Sequence, residues 1–320
     1  MISIRLFDNY AELAAHHRLW DQVAGPYPFF RWAWVGSWLK HVASSRQLAI
    51  LVATDELENW IGIAPFCLDT TLINTRRLQF VCGGQACSDY MNLIVDKQHY
   101  REFADRVVQW ISENTGSEGH LGGIDLIELE GLAESDANTN YLLGQFQDSG
   151  FKALRLPIEG CWVTELPSSW SELNARFSKS LRRKTKRAIQ LLDDAETEIR
   201  SSHEGNWGEI WNTLVRLHQQ RHEMIGHAGC FAEKRFGCFL EDAAQRLAAE
   251  QKAEVVEIRH GGIPLAAMLL FNDGEHVYMY QSGFDPGRDD QNPGYQLVVH
   301  ALRSSIDRGF RTFDFLRGDE

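Results

Sequence analysis

The residues with the most chemical potential lie between Tyr278 and Asp319. Tyr280-Gln281-Ser282-Gly283-Phe284-Asp285-Pro286 is followed by Asn292-Pro293-Gly294-Tyr295-Gln296, and then by Phe313-Asp314-Phe315-Leu316-Arg317-Gly318-Asp319. The spacing predicts a strand, a loop and a helix start, with Asn292 as N-cap and Pro293 at the first helical position. Unpaired backbone N–H groups and the positive end of the helix dipole meet there, which suits an anion such as a pyrophosphate. Asn-Pro-Gly also begins helices that bind nothing, and spacing alone leaves both readings open. Asp314 and Tyr280 fall on neighbouring predicted strands, a carboxylate and a phenol that can take and give a proton. By alternation Asp314 points away from Phe313 and Phe315; if those aromatics face the core, it faces the opposite side.

A second concentration of charge is Arg176, Lys179, Arg182, Arg183, Lys184, Lys186 and Arg187. Lys179, Arg183 and Lys186 or Arg187 recur at spacings of three to four, so one helical face presents several cations. That face reads either as a local phosphate grip, for CoA phosphates, a nucleotide sugar or tRNA, or as a solvated surface paired with Asp193, Asp194 and Glu196. His218, His222 and His227 with Glu223 invite a metal. The H-E-x-x-H order is missing and spacing fixes no third ligand, so the expectation is no metal, with His222 bordering an acceptor cleft. In the first half, Asp89-Tyr90 follows the Gly83-Gly84 turn and begins an apolar strand, which makes the pair the best polar candidate there. Trp34 and Trp38 share a helical face and read as core.

These residues must be positioned by a chain of 320 residues, long enough for two domains of roughly 150 each. Hydrophobic periodicity predicts, in the first half, a strand at Ile2 to Phe7, helices at Ala11 to Val23 and Arg31 to Val42, and strands at Leu48 to Thr54, Trp60 to Leu68, Arg77 to Cys82 and Tyr90 to Val95. A helix at Tyr100 to Ser112, a strand at Ile124 to Glu130, a helix at Tyr141 to Asp148 and a strand at Phe151 to Pro157 follow. The second half begins with the capping box Ser169-Trp170-Ser171-Glu172, then a helix capped by Ser178. A strand near Glu198 to Ser202, helices at Trp207 to Met224 and Ala232 to Glu250, three strands within Glu254 to Ser282, a helix at Gly294 to Asp307 and a strand at Thr312 to Leu316 complete it. The two halves repeat one order: strand, helix pair, antiparallel strands, helix, strand. The expected class is α/β (α+β), two tandem domains each with a mixed sheet flanked by helices, at 1–165 and 166–320. The second lacks the elements that extend the first, so the expectation is an incomplete edge beside Thr312 to Leu316.

A net charge of -12 argues against general binding to DNA or to an anionic membrane, so any polyanion site must be local. No apolar run reaches the ~20 residues needed to span a bilayer, and Ile2, Ile4 and Leu6 alternate as in a strand and unlike a signal peptide. The expectation is a cytoplasmic protein. Its six cysteines have neither knuckle nor scaffold spacing and read as reduced and mostly buried.

Tyr280 to Asp285, Pro293-Gly294-Tyr295 and the terminal Phe313 to Glu320 together resemble the acetyltransferase-like domain family of the GCN5-related N-acetyltransferase (GNAT) superfamily. That family includes cellulose-biosynthesis-associated acetyltransferases and is related to the Fem-type aminoacyltransferases. Phe177-Ser178-Lys179-Ser180-Leu181-Arg182-Arg183-Lys184 resembles its helix start; Ile61-Gly62-Ile63-Ala64-Pro65-Phe66 and Ser88-Asp89-Tyr90-Met91-Asn92-Leu93 resemble its amino-terminal half. The resemblance implies tandem GNAT-like domains and transfer of an acyl group, acetyl from acetyl-CoA, to an amine or hydroxyl of a small molecule or saccharide, with a place in polysaccharide biosynthesis. On that basis Asp314 is the base and Tyr280 the acid. Gln281, Ser282, Asn292, Gly294, Tyr295, Gln296 and Arg183 bind the donor, and Asp89, Tyr90, His222, Arg317 and Asp319 the acceptor. The glycine-rich pyrophosphate loop of standard acetyltransferases is reduced here to Asn292-Pro293-Gly294. Fem-type relatives keep the fold and use aminoacyl-tRNA, which is the alternative donor. A third reading is a silent binding module of a polysaccharide-synthesis system.

Overall fold

The computed structural model describes residues 2–318, apart from the side chains of Ser45, Asp289 and Asp290. The chain divides into two compact units, Met1–Ile158 and Glu159–Glu320.

The first unit runs β1 (Ser3–Phe7), α1 (Tyr10–Ala15), α2 (His17–Ala24), α3 (Trp32–His41), β2 (Gln47–Thr54), β3 (Trp60–Thr70), β4 (Arg76–Phe80), β5 (Ile94–Val95), α4 (Tyr100–Asn114), β6 (Leu126–Glu128) and α5 (Ala137–Asp148). Its sheet has the order β1-β2-β3-β4-β6, with β5 also on β3. All pairings are antiparallel except β4 with β6. β2 is apolar along almost its whole length because both its faces are covered. On one face Phe103, Val107, Ile111, Leu142 and Phe146 of α4 and α5 pack against Leu51, Phe66 and Phe80. Trp20, Trp34 and Trp38 are fully buried, and the indoles of Trp20 and Trp34 donate to Phe30 O at 2.7 Å and Ser88 Oγ at 2.9 Å.

Two expectations fail in this unit. No strand forms at 151–157, where the chain is irregular and largely exposed; Phe151 turns inward against Phe146, ring centroids 5.4 Å apart, and no neighbouring strand offers a ladder. The strand expected from Tyr90 shrinks to β5 because Cys87 (φ 44°) and Tyr90 (φ 53°) adopt left-handed backbone, which ends extended structure.

The second unit runs β7 (Cys161–Glu165), α6 (Trp170–Arg176), α7 (Lys179–Leu192), β8 (Thr197–Ser201), α8 (Trp207–Met224), α9 (Lys234–Ala249), β9 (Ala253–His260), β10 (Ile263–Asn272), β11 (His276–Phe284), α10 (Pro293–Asp307) and β12 (Thr312–Arg317). The sheet order is β7-β12-β11-β10-β9-β8. From β8 to β12 this repeats the β1-to-β6 path of the first unit, with the last pair, β11 and β12, again parallel. The open edge expected beside β12 is filled: β7 pairs with it antiparallel, Thr312 opposite Glu165 and Asp314 opposite Val163. The division between units therefore falls before Cys161, because this strand belongs to the second sheet.

Alternation along β9, β10 and β11 sends Val256, Ile258, Ala266, Met268, Leu270 and Val277 to one face, where they meet Leu297 and Leu302 of α10 and Ala188 and Leu192 of α7. α8 and α9 pack on the other face. α7 begins at Ser178, whose hydroxyl accepts from Leu181 N at 3.2 Å. Replacing it, Ser178→Ala, removes a cap and costs about 1 kcal/mol; a fall in the denaturant midpoint with an unchanged slope is the expected reading.

Candidate active site

α8 carries a buried stripe of Ile210, Trp211, Leu214, Leu217 and His218 at spacings of three and four, so His218 occupies a position where periodicity calls for an apolar side chain. It is 2% exposed. The helix lies so close to β11 that a Cβ on Gly283 would sit 2.7 Å from Leu217 C and 2.8 Å from His218 Cα. Only glycine admits that approach, and the approach fixes where His218 stands.

β11 and β12 begin as a parallel pair and then part. His276 faces Thr312, Val277 faces Phe313 and Tyr278 faces Asp314, while β11 continues to Phe284. Along the β10 side, Gln281 lies opposite Leu269 and Met279 opposite Leu270, which leaves Tyr280 as the extra residue of a β-bulge. Among the described residues the parallel register with β12 runs to Tyr278 opposite Asp314, and β11 continues past it beside the parting of the two strands. Asp314 stands at the vertex, 4% exposed. Its Oδ1 accepts from Leu316 N at 2.7 Å, and Leu316 is left-handed at φ 59°; the carboxylate thus holds the turn that swings β12 away. Tyr280 packs on Phe271, ring centroids 5.2 Å apart. In the neighbouring Tyr278, burial first, then its 2.8 Å hydrogen bond to Asp273 Oδ2, push the hydroxyl far above the usual phenol range.

The start of α10 gathers the residues expected to bind a donor, with changes. Asn292 occupies the N-cap position at φ 51°, but its side chain makes no capping bond, because left-handed backbone turns it away. Asn292 therefore does not satisfy the first-turn N–H groups of α10. Gly294 lies against Phe284, where a Cβ would meet the ring at 3.2 Å. Tyr295 is held by α7: its hydroxyl is 2.6 Å from Thr185 Oγ1 and the Lys184 ammonium lies 4.2 Å over its ring. Lys184 is thus a cation at this turn, and both it and Arg183 are exposed on α7. The Arg221 guanidinium stands 5.0 Å over the Phe284 ring. Gln296 is buried and its amide donates to Gln291 O at 2.9 Å, closing the preceding turn. Ser282 pairs with Met268 along the ladder.

Sequence reading missed one cluster beside the bulge. Cys230, in the connection between α8 and α9, has its Sγ 3.6 Å from His218 Nε2, and Gln281 Nε2 donates to the same sulfur at 3.5 Å. His218 Nδ1 lies 3.1 Å from Gln219 Oε1. His222 stacks on His218, centroids 4.3 Å apart, and the Phe231 edge meets it at 5.0 Å. The signal in the sequence was a histidine inside an apolar stripe. Its partner, twelve positions away, has no fixed spacing to find it by.

Of the remaining expected residues, Arg317 ends β12 opposite Cys161, and Asp319 lies outside the described residues. Asp89 and Tyr90 belong to the first unit, where Asp89 is buried, its carbonyl accepts from Tyr27 OH at 2.8 Å, and the Tyr90 ring lies 6.5 Å from that of Tyr27. Among the described residues no three His, Cys, Asp or Glu side chains are grouped to hold a metal, and no helix is long and apolar enough to cross a membrane.

Residues 175–320 match the family model described as an acetyltransferase (GNAT) domain. No curated protein matches the chain. Among solved structures, FemX is similar over 99% of this chain and 89% of its own, at 13% identity and a TM-score of 0.64. The carboxy-terminal domain of a lysylphosphatidylglycerol synthetase, putative by its description, from Agrobacterium fabrum is similar over 97% of this chain and 79% of that one, at 11% identity and a TM-score of 0.53. L-PGS from Bacillus licheniformis is similar over 88% and 69%, at 10% identity and a TM-score of 0.50. At these identities the likeness is one of fold, and it spans both units. Residues 175–320 are thus similar to an acetyltransferase (GNAT) domain, in a chain whose fold is similar to that of FemX along almost its whole length.

Proposed function

We propose that the second unit transfers an acyl group, acetyl from acetyl-CoA, to an amine or hydroxyl of a small molecule or saccharide. The observation that carries this reading is the parting of β11 from β12 beyond Tyr278 and Asp314. A gap of this kind, floored by a bulge, takes an extended pantetheine arm through backbone hydrogen bonds. The first turn of α10, which Asn292 does not cap and which Lys184 and Arg221 flank, suits the pyrophosphate at its far end. In this reading Gln281, Ser282, Gly294 and Tyr295 border the donor. Asp314 removes the acceptor's proton at the vertex of the gap, Tyr280 protonates the departing thiolate, and backbone N–H groups of β11 stabilise the oxyanion. His222 and Arg317 are assigned to the acceptor.

One observation favours a second donor. Lys179, Arg182, Arg183, Lys186 and Arg187 are all exposed on α7, a surface able to take the phosphates of an aminoacyl-tRNA. Thermal unfolding with acetyl-CoA, CoA and a nucleotide control separates the readings. A donor held only by the folded protein stabilises it by about 2.7 kcal/mol at a hundred times its Kd. A rise in Tm with acetyl-CoA and CoA, absent with the nucleotide, is expected. No shift with either, together with a mobility shift on aminoacyl-tRNA that collapses with salt, moves the assignment to the second donor.

A further inference from the structure

Cys230 and His218 form a hydrogen-bonded thiol–imidazole pair, and the surroundings fix which nitrogen of the ring holds its proton. The Gln219 amide nitrogen donates to Ala228 O at 2.7 Å, so its oxygen is the atom turned toward His218 Nδ1, 3.1 Å away. An amide oxygen only accepts; Nδ1 of the neutral ring therefore carries the hydrogen and Nε2 presents its lone pair. That lone pair lies 3.6 Å from Cys230 Sγ. Gln281, from the strand beside the gap, also donates to the sulfur, at 3.5 Å. Gly229 leaves room for the orienting amide: it is left-handed at φ 68°, and a Cβ there would stand 2.9 Å from Gln219 Cδ. A nucleophile, a base in the required tautomer, a group that orients the base and a donor to the nucleophile are thus assembled on three separate segments. Cys230 is half-buried, unlike the fully buried Cys67 and Cys82.

We propose that Cys230 is a catalytic nucleophile that receives the acyl group before the acceptor does. This rests on the acyl-transfer reading above. In the loading step His218 Nε2 takes the Cys230 proton as Sγ attacks the carbonyl carbon of an acyl thioester. The donor's carbon–sulfur bond breaks as the bond to Cys230 forms, and the proton lifted by His218 replaces the one that Tyr280 gives the departing thiolate. In the second step the acceptor attacks the Cys230 thioester and the carbon–sulfur bond breaks; the acceptor's proton goes to Asp314, which releases it to solvent, and His218 takes one proton from solvent and passes it to the freed Cys230 sulfur, so that the enzyme ends as it began.

Two measurements on the full chain test this. The first needs no donor: iodoacetamide alkylation of each cysteine, followed by peptide mass spectrometry across pH. Cys230 is expected to react at neutral pH faster than the exposed Cys87 and Cys238, with the rate lowered about a hundredfold in His218→Gln and lowered also in Gln219→Met. Cys230 reacting no faster than Cys87 and Cys238 in the unaltered protein overturns the pair, whether or not either variant folds. The second measurement incubates the protein with radiolabelled acetyl-CoA and no acceptor. Label on the Cys230 peptide, released by neutral hydroxylamine and missing in Cys230→Ala, is expected. If acetyl-CoA stabilises the protein and is consumed with an acceptor, yet Cys230→Ala keeps full turnover and no label forms, the covalent step is wrong and the acyl-transfer reading stands. If acetyl-CoA neither stabilises nor labels the protein, the acetyl-CoA assignment fails, and the alkylation rates alone uphold or overturn the pair.

Discussion

Asp314→Asn is expected to lower turnover by about 10²–10⁴-fold while leaving the fold intact. The amide keeps an oxygen able to accept the Leu316 N–H, so the turn that parts β12 from β11 survives. What is lost is the capacity to take a proton at the vertex. Thiol release from acetyl-CoA, measured with any acceptor the unaltered protein uses, reads the effect in kcat; donor affinity by calorimetry stays as it was. Full turnover in Asp314→Asn removes the base assignment. A loss of donor affinity together with turnover shows that Asp314 shapes the gap and performs no proton transfer.

Gly283→Ala carries the largest expected structural effect. The added methyl would stand against backbone atoms, Leu217 C at 2.7 Å and His218 Cα at 2.8 Å, and backbone cannot rotate aside as a side-chain tip can. α8 must shift from the sheet, at about 3 kcal/mol or more, and His218 moves with it. Urea unfolding is expected to show the loss, with turnover abolished even where the variant remains folded. Gly294→Ala is the control: its Cβ meets the Phe284 ring at 3.2 Å, and a ring can tilt. A Gly283→Ala protein of unaltered stability would mean that α8 does not lie on β11 as described.

These two positions also show how far the sequence could be read. The elements that build the gap were legible because each obeys its own period. α8 occupies the predicted span, the β9–β10–β11 meander carries Gly261-Gly262 and Asp273-Gly274 at its turns, and Pro293 opens α10. Local patterns encode local structure well. Asp314 and Tyr280 were proposed because strand order placed them on adjacent strands. What long-range packing decides was hidden. The bulge at Tyr280 is a register shift against β10, and no residue type announces it. Arg183 and Lys184 are equivalent by composition; the position of Tyr295 selects Lys184. Cys230 meets His218 through an irregular connection whose path follows from Gly229 and Gln219. β7 was missed for a different reason: it is an edge strand with Trp162 and Val163 exposed, so it has no buried face and no alternation to detect.

That strand has a practical corollary for anyone who excises the second unit. The family match begins at residue 175, yet β12 draws its second neighbour from Cys161–Glu165. A fragment cut at the family boundary would present a bare row of amides beside Asp314, ready to recruit a strand from another molecule. Such a fragment is expected to self-associate in proportion to its concentration, whereas one beginning at Glu159 keeps its own edge strand.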